Sequence, residues 1–224
     1  MGSSYWTYYL GLMLLTYVSH RPPLLVLAVV VYLLRDRLPD PVVFFRTLGR
    51  IGALKRQIEV NPANVTARRD LANIYLERHQ PRAALKLVDE ALARFPDDAE
   101  LLFLRGHALT KMGRDEEALE PLVASIDKSS RVRFGMPYLV AGDALMRLGR
   151  WDAAIDAYAR YLTMNSSSIE AHFKIHVAHA RAGEQAESEK ALAEAFSTWR
   201  IVPGYKKREQ LGWWLRSCVA RVVG

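Results

Sequence analysis

Hydrophobic and polar positions divide the chain into three stretches. The first is almost wholly apolar: YWTYYLGLMLLTYVS (5–19) and LLVLAVVVYLL (24–34), separated only by HRPP. From about residue 42 the pattern becomes periodic, with large apolar residues three or four positions apart, the spacing of one face of a helix. Phe44, Leu48, Ile51 and Ile58 form such a stripe, with basic residues between them. Between residues 63 and 200 the same period recurs in short runs punctuated by Gly, Pro, Asn, Asp and Ser, which predicts a succession of helices and an all-α chain. In KKREQLGWWLRSCVARVV (206–223), Leu211, Leu215, Cys218 and Val222 share one helical face.

The short runs repeat. LANIYLERHQPRAALKLVDEALARFPDD (71–98), RGHALTKMGRDEEALEPLVASIDKS (105–129) and AGDALMRLGRWDAAIDAYARYLTMNS (141–166) each give a small residue, a large apolar one three positions on, a turn, then a second amphipathic run. The small anchors are Ala72, Gly106 and Gly142, 34 and 36 residues apart, with a two-residue insertion near Arg131–Arg133. Small side chains at these positions let two helices approach closely, and Gly113, Gly149 and Gly183 stand where a helix must end. A fourth, weaker copy runs from Ile169 to Phe196, and RTLGRIGALKRQIEVNP (46–62) is in phase as a half-repeat, since Pro62 precedes Pro96 by 34 residues.

These motifs resemble the tetratricopeptide repeat (TPR), a helix–turn–helix unit. Leu71, Ala72, Tyr75, Ala84, Val88, Ala91 and Pro96 fall on its signature positions, and later copies repeat many of them. The resemblance implies an all-α solenoid: a basic capping helix over 41–62, four repeats over 63–200 and a basic C-terminal capping helix over 201–224. Members of this family usually bind a segment of a protein partner in a groove lined by each repeat's first helix. The groove positions here would be Arg69, Asn73, Phe103, His107, Asp143, Arg147, Phe173 and Arg181. Arg69 and Asn73 match the start of the clamp that some members use for a terminal carboxylate. Leu104, Met136 and Val140 break that clamp, so a mixed groove with aromatic anchors and a few charges is expected instead. Reversing the charge of Arg69 and Arg147 is expected to weaken partner capture with little effect on stability.

The apolar N-terminus reads as a membrane hairpin over residues 1–40. One helix across both runs would be about 45 Å long, against a hydrocarbon core of about 30 Å. It would also bury Arg21 near mid-membrane. Pro22 and Pro23 instead stop one helix near Ser19 and start another, giving arms of 17 residues, Ser3–Ser19 and Pro22–Leu38, that cross fully or enter as a re-entrant loop. Trp6, Leu14, Leu25, Val30, Tyr32 and Arg35 are the expected lipid-facing or interfacial residues. A buried apolar hairpin or an oligomer contact is the alternative. Arg35, Arg37, Arg46, Arg50, Lys55 and Arg56 all follow the second arm, which places the repeats on the cytoplasmic side, of a bacterial inner membrane by the general architecture. The 42–58 stripe then lies along the membrane or, more simply, packs on the first repeat.

Charge sharpens this division. Residues 1–62 carry +4, residues 63–200 carry −1 and residues 201–224 carry +4. Basic ends around a neutral middle suit an anionic membrane surface and do not suggest a nucleic-acid-binding domain. The single cysteine, Cys218, excludes an internal disulfide and a Cys-based metal site. His172, His176 and His179 have the spacing of metal ligands, yet they occupy inward packing positions of the fourth repeat and are read as packing residues. GHALTKMGR lacks the ending of a phosphate loop, and no nucleophile elbow or carboxylate pair stands out. The expected protein is a cofactor-free, non-enzymatic, membrane-tethered scaffold or adaptor; the alternative is a structural subunit docking on other membrane subunits through the hairpin. Trp213 and Trp214, adjacent on the last helix, are expected not to face the repeats together; they are read as part of the cap, with contact of one to lipid headgroups or a partner as the alternative.

Overall fold

The computed structural model describes Thr16 and residues 41–223. The expected hairpin, with Trp6, Leu14, Leu25, Val30, Tyr32 and Arg35, lies outside the described residues. Among those described, no helix is long and apolar enough to cross a membrane.

The chain divides by compactness after Leu48. That boundary falls inside the first described helix, α1 (Pro41–Val60). In its first part the Thr47 hydroxyl donates to the Val43 carbonyl at 2.6 Å, one turn back. From Gly49 onward the described residues form a helical array: the rest of α1, then α2 (Val65–Glu77), α3 (Pro81–Leu92), α4 (Ala99–Lys111) and α5 (Asp115–Lys128). After a 3-10 turn (Val132–Gly135) come α6 (Met136–Arg147), α7 (Trp151–Met164), α8 (Ile169–Ala182), α9 (Gln185–Ile201) and α10 (Gly204–Val223).

Successive helices run antiparallel, paired as α2/α3, α4/α5, α6/α7 and α8/α9. First helices also touch one another, α2 with α4, α4 with α6, and α8 with α10, whereas α3, α5 and α7 make no comparable mutual contacts. A layer whose members meet on one side and splay on the other curves. The first helices therefore line the concave face.

Close approach within pairs follows from the small anchors. Ala72 is fully buried. A Cβ at Gly106 would lie 2.5 Å from Leu122 Cγ, and one at Gly142 would overlap the Tyr158 ring. The central core joins Val88, Leu101, Phe103, Leu104, Leu109 and Leu122 across the first two pairs. Each such side chain contributes about 1.5–3 kcal/mol by burial. At the front, Ile51, Leu54 and Ile58 pack on Ala67, Leu71 and Ile74, the simpler of the two readings of that stripe. Leu48 is 47% exposed, and the Phe44 side chain is outside the described residues.

First helices begin with side-chain caps. Asn64 accepts from the Ala67 amide, Asp98 from those of Glu100 and Leu101, and Ser168 from that of Ala171. Gly113, Gly149 and Gly183 end first helices at positive φ, and His79 serves that turn in the first pair. The insertion after α5 departs from this regularity. Arg133, Phe134 and Gly135 are all left-handed, with φ of 45°, 55° and 80°. Arg133 and Phe134 cost about 1–3 kcal/mol each in that region. Two contacts hold them there: the Arg133 guanidinium bonds Glu100, and the Asn165 side-chain amide donates to the Phe134 carbonyl.

The last helix corrects two expectations. The apolar face of this capping helix is turned largely outward: Leu211 is 45% exposed, Leu215 41% and Val222 85%, with Cys218 half-buried. The face that packs carries Gln210, Trp213, Trp214 and Ser217 instead. Gln210 accepts from the Ile169 amide at 2.6 Å and donates to the Ser167 carbonyl at 2.8 Å, satisfying backbone groups at the start of α8. Both tryptophans engage the array, because α10 contacts both α8 and α9. Trp213 meets Phe173 of α8 and Trp214 stacks on Trp199 of α9, with ring centroids 5.9 and 5.0 Å apart. Apolarity alone pointed to the Leu stripe. Polar satisfaction and aromatic stacking decided the docking face.

Candidate partner-binding groove

Ion pairs between successive helix pairs run along the first-helix layer. Arg69 on α2 reaches Glu100 on α4 at 2.6 Å and Asp98 at 3.6 Å. Glu100 also takes a fork from Arg133, its Nε at 3.1 Å and Nη2 at 2.8 Å. Burial works to raise the Glu100 carboxyl, but the hydrogen bonds from Arg133 and Arg69 outweigh it and hold the group below the usual carboxylate range. The Arg133 guanidinium also lies 5.3 Å over the Phe103 ring.

At the other end, Lys174 on α8 sits between two carboxylates, 2.7 Å from Asp143 of α6 and 2.6 Å from Glu170 one turn back. Its ammonium lies 5.8 Å from the Tyr158 ring centre and 5.3 Å from that of Trp213. The Tyr158 hydroxyl donates to Asp143 at 2.8 Å, and burial together with the Asp143 charge pushes that phenol well above its ordinary range. Arg147, at the end of α6, bonds both oxygens of Asp115 at 2.6 and 2.8 Å, which raises its own pKa further. Asp115 is therefore more than an acidic residue in the first turn of α5.

The expected groove residues divide into distinct roles. Asn73 on α2 is half-buried, and Arg181 at the end of α8 is exposed. Asp143, Arg147 and Arg69 are committed to the ion pairs above. Phe103 is 1% exposed, so it forms the floor beneath Arg133 and offers no exposed anchor. Phe173 is half-buried between His176 and Trp213, with centroids 5.8 and 5.9 Å away. His107 stacks obliquely on Phe103 at 5.6 Å, and its buried Nδ1 has no hydrogen-bond partner. Burial, then the charges of Lys111 and Arg133, lower its pKa to about 4, with Asp143 opposing. Arg69 Nε is likewise buried without a partner.

These pairs overturn the expectation that reversing Arg69 and Arg147 leaves stability unchanged. The reversal would set a glutamate beside Glu100 and another beside Asp115, which is only 8% exposed. Sequence reasoning missed Glu100, Arg133, Lys174 and Trp213 as groove residues. The available signals were the Glu170–Lys174 spacing and the offset of roughly one repeat between partners such as Asp143 and Lys174.

The histidine face of α8 is occupied by protein. His176 Nδ1 lies 2.8 Å from Ser188 Oγ and 3.0 Å from the Ser188 carbonyl, and His179 Nδ1 lies 2.6 Å from Glu184. His172 is half-buried, and burial lowers its pKa. Among the described residues, no three His, Cys, Asp or Glu side chains gather to hold a metal ion.

Comparison with known proteins agrees with this architecture. The tetratricopeptide repeat family profile matches residues 69–130 and 139–204, more than half of the chain. Among solved structures, a MamA protein is similar at a TM-score of 0.62 and 23% identity, covering 73% of this chain and 88% of its own. MamA AMB-1 gives 0.60 and 19%, covering 73% and 98%. MamA from Desulfovibrio magneticus RS-1 gives 0.54 and 18%, covering 59% and 74%. Comparison with curated protein sequences returns no match.

Proposed function

The chain belongs to the tetratricopeptide repeat family, and on that premise we propose that it is a non-enzymatic, membrane-tethered scaffold that holds a segment of a protein partner in its concave groove. The observation that carries this reading is the pair of ion-pair clusters on the first-helix layer, Arg69–Glu100 joining α2 to α4 with Arg133 of the 3-10 turn added, and Asp143–Lys174 joining α6 to α8 with Glu170 added. Such pairs add little to stability at a partly exposed face. They fix the positions of donors, acceptors and ring faces before a partner arrives, which lowers the ordering cost of binding. The tether is residues 1–40, and the basic residues after the second apolar run favour repeats on the cytoplasmic side of a bacterial inner membrane. Confinement at the bilayer raises the partner's effective concentration without any new contact. Partner recognition is mixed, drawing on Asn73, Phe173 and Arg181 together with the Lys174 and Trp213 surface.

The test is a crosslinking pulldown with the full chain, comparing wild type with Asn73→Trp plus Arg181→Glu. These substitutions crowd and recharge the groove while sparing its ion pairs. Capture should fall about tenfold, equivalent to about 1.4 kcal/mol. The thermal midpoint should stay within about 2 °C. Undiminished capture would refute the groove as the binding face.

A further inference from the structure

The turns between helix pairs all lie at one rim of the array, and the turns within pairs lie at the other, because successive helices run antiparallel. The two rims differ in chemistry. Each turn between pairs displays a large apolar side chain: Val60 (87% exposed), Phe95 (41%), Phe134 (81%), Met164 (38%) and Ile201 (79%), followed by Tyr205 (74%) at the start of α10. Among the described residues, the turns within pairs, around Gln80, Arg114, Arg150 and Glu184, display none. The apolar rim is also basic toward its C-terminal half. Residues 128–135 and 199–208 contain no acid, and exposed Arg131, Arg200 and Arg208 flank Phe134, Ile201 and Tyr205.

We propose that this rim is a lipid-facing edge. The apolar side chains of the turns insert into the headgroup region of an anionic bilayer, and the neighbouring cations pair with its lipid headgroups. Two observations favour a bilayer over an acidic protein. First, the apolar groups stand on separate turn tips with polar residues between them. A protein interface gains most from contiguous buried area around a few anchors, whereas a bilayer admits separate insertions, each with its own apolar gain. The cavity of about 340 Å³ between α8, α9 and α10, lined by Leu192, Phe196 and Arg221, lies away from these tips. Second, Phe134 projects from a left-handed backbone held by Glu100 and Asn165, so its outward position is imposed by the fold. The charge pattern adds attraction to anionic lipid of about 1 kcal/mol per cation near the surface. This contact requires neither the groove nor residues 1–40.

The test uses the full chain with Cys218→Ser and one new cysteine, Ser130→Cys on the apolar rim or Arg150→Cys on the opposite one, labelled with nitrobenzoxadiazole. The two labelled proteins differ only in where the label sits, so a tether elsewhere in the chain cannot by itself separate their responses. With vesicles of about 30% phosphatidylserine in phosphatidylcholine, the label at 130 should shift to the blue and brighten about twofold or more. Pure phosphatidylcholine should give a smaller response, and the label at 150 should give none. Phe134→Ser with Ile201→Ser should at least halve the signal at 130, and Arg200→Glu with Arg208→Glu should abolish the preference for phosphatidylserine. Equal responses at 130 and 150, no response at 130, or a signal indifferent to the serine pair would overturn the proposal. So would a response at 130 that only the captured protein partner elicits. The vesicle outcomes with the chain alone do not bear on groove capture, so the two readings fail separately.

Discussion

Burial strips water from the His107 imidazole while Lys111, on the same helix, and Arg133, on the neighbouring turn, stand close by. Together they outweigh Asp143 on α6 and bring its pKa down to about 4. The unfolded chain takes up this proton near pH 6.5, the native chain only near pH 4. Between those values the unfolded state binds more protons, so stability rises with pH across the window and is lost as pH falls from 6.5 to 4. The loss is on the order of 3 kcal/mol. His107→Leu should flatten the thermal midpoint over that window, and should not destabilise at pH 7, because it also removes a buried Nδ1 that has no partner. Thermal melts at half-unit pH steps would decide it; an unchanged slope in the variant would assign the dependence to other groups. The identity of His107 as a first-helix residue was legible in the sequence, since it follows the Gly106 anchor. Its isolation was not, because that depends on where the insertion after α5 carries Arg133, and a left-handed run through Arg133 and Phe134 leaves no mark in hydrophobic periodicity.

At the scale of the element, period and phase located the helices well because each pair repeats the same small-residue contact and the same glycine turn. Gly106 against Leu122 and Gly142 against Tyr158 are what the anchors implied. The docking face of α10 was misread because an apolar stripe in the sequence does not show which face meets α8 and α9. Its docking is set by local satisfaction, Gln210 on the first backbone groups of α8 and the Trp199–Trp214 stack on α9, while Leu211 and Leu215 remain outside. Gln210→Ala should therefore cost about 1–2 kcal/mol, the range for leaving such groups unsatisfied. The loss should be local. Hydrogen exchange should accelerate at the Ile169 amide and through α10, with α2 to α5 unaffected. Uniform acceleration through all the helices would show instead that α10 unfolds only with the whole array.

At the largest scale, each helix pair among the described residues contacts only its neighbours, so cooperativity depends on the interfaces between them. The central core runs unbroken from α2 to α6 through Leu76, Leu101, Leu104 and Val140. The C-terminal junction instead rests on a few aromatic and polar contacts. The chain has five tryptophans, and three of them, Trp199, Trp213 and Trp214, report on that junction. Fluorescence therefore weights the C-terminal end, while circular dichroism weights all the helices. Leu104→Ala, at a fully buried central position, should lower stability by about 2–5 kcal/mol and move both signals together. Trp214→Ala removes the stack on Trp199 and should separate the signals, with fluorescence changing at lower urea than circular dichroism. The physical cause is one-dimensional coupling: weakening an end interface frees the end, whereas weakening a central one lowers the whole array. Coincident transitions in Trp214→Ala would mean that the Lys174–Asp143 pair between α8 and α6, with Lys174 over the Trp213 ring, couples the last helices to the core more strongly than the Trp199–Trp214 stack does.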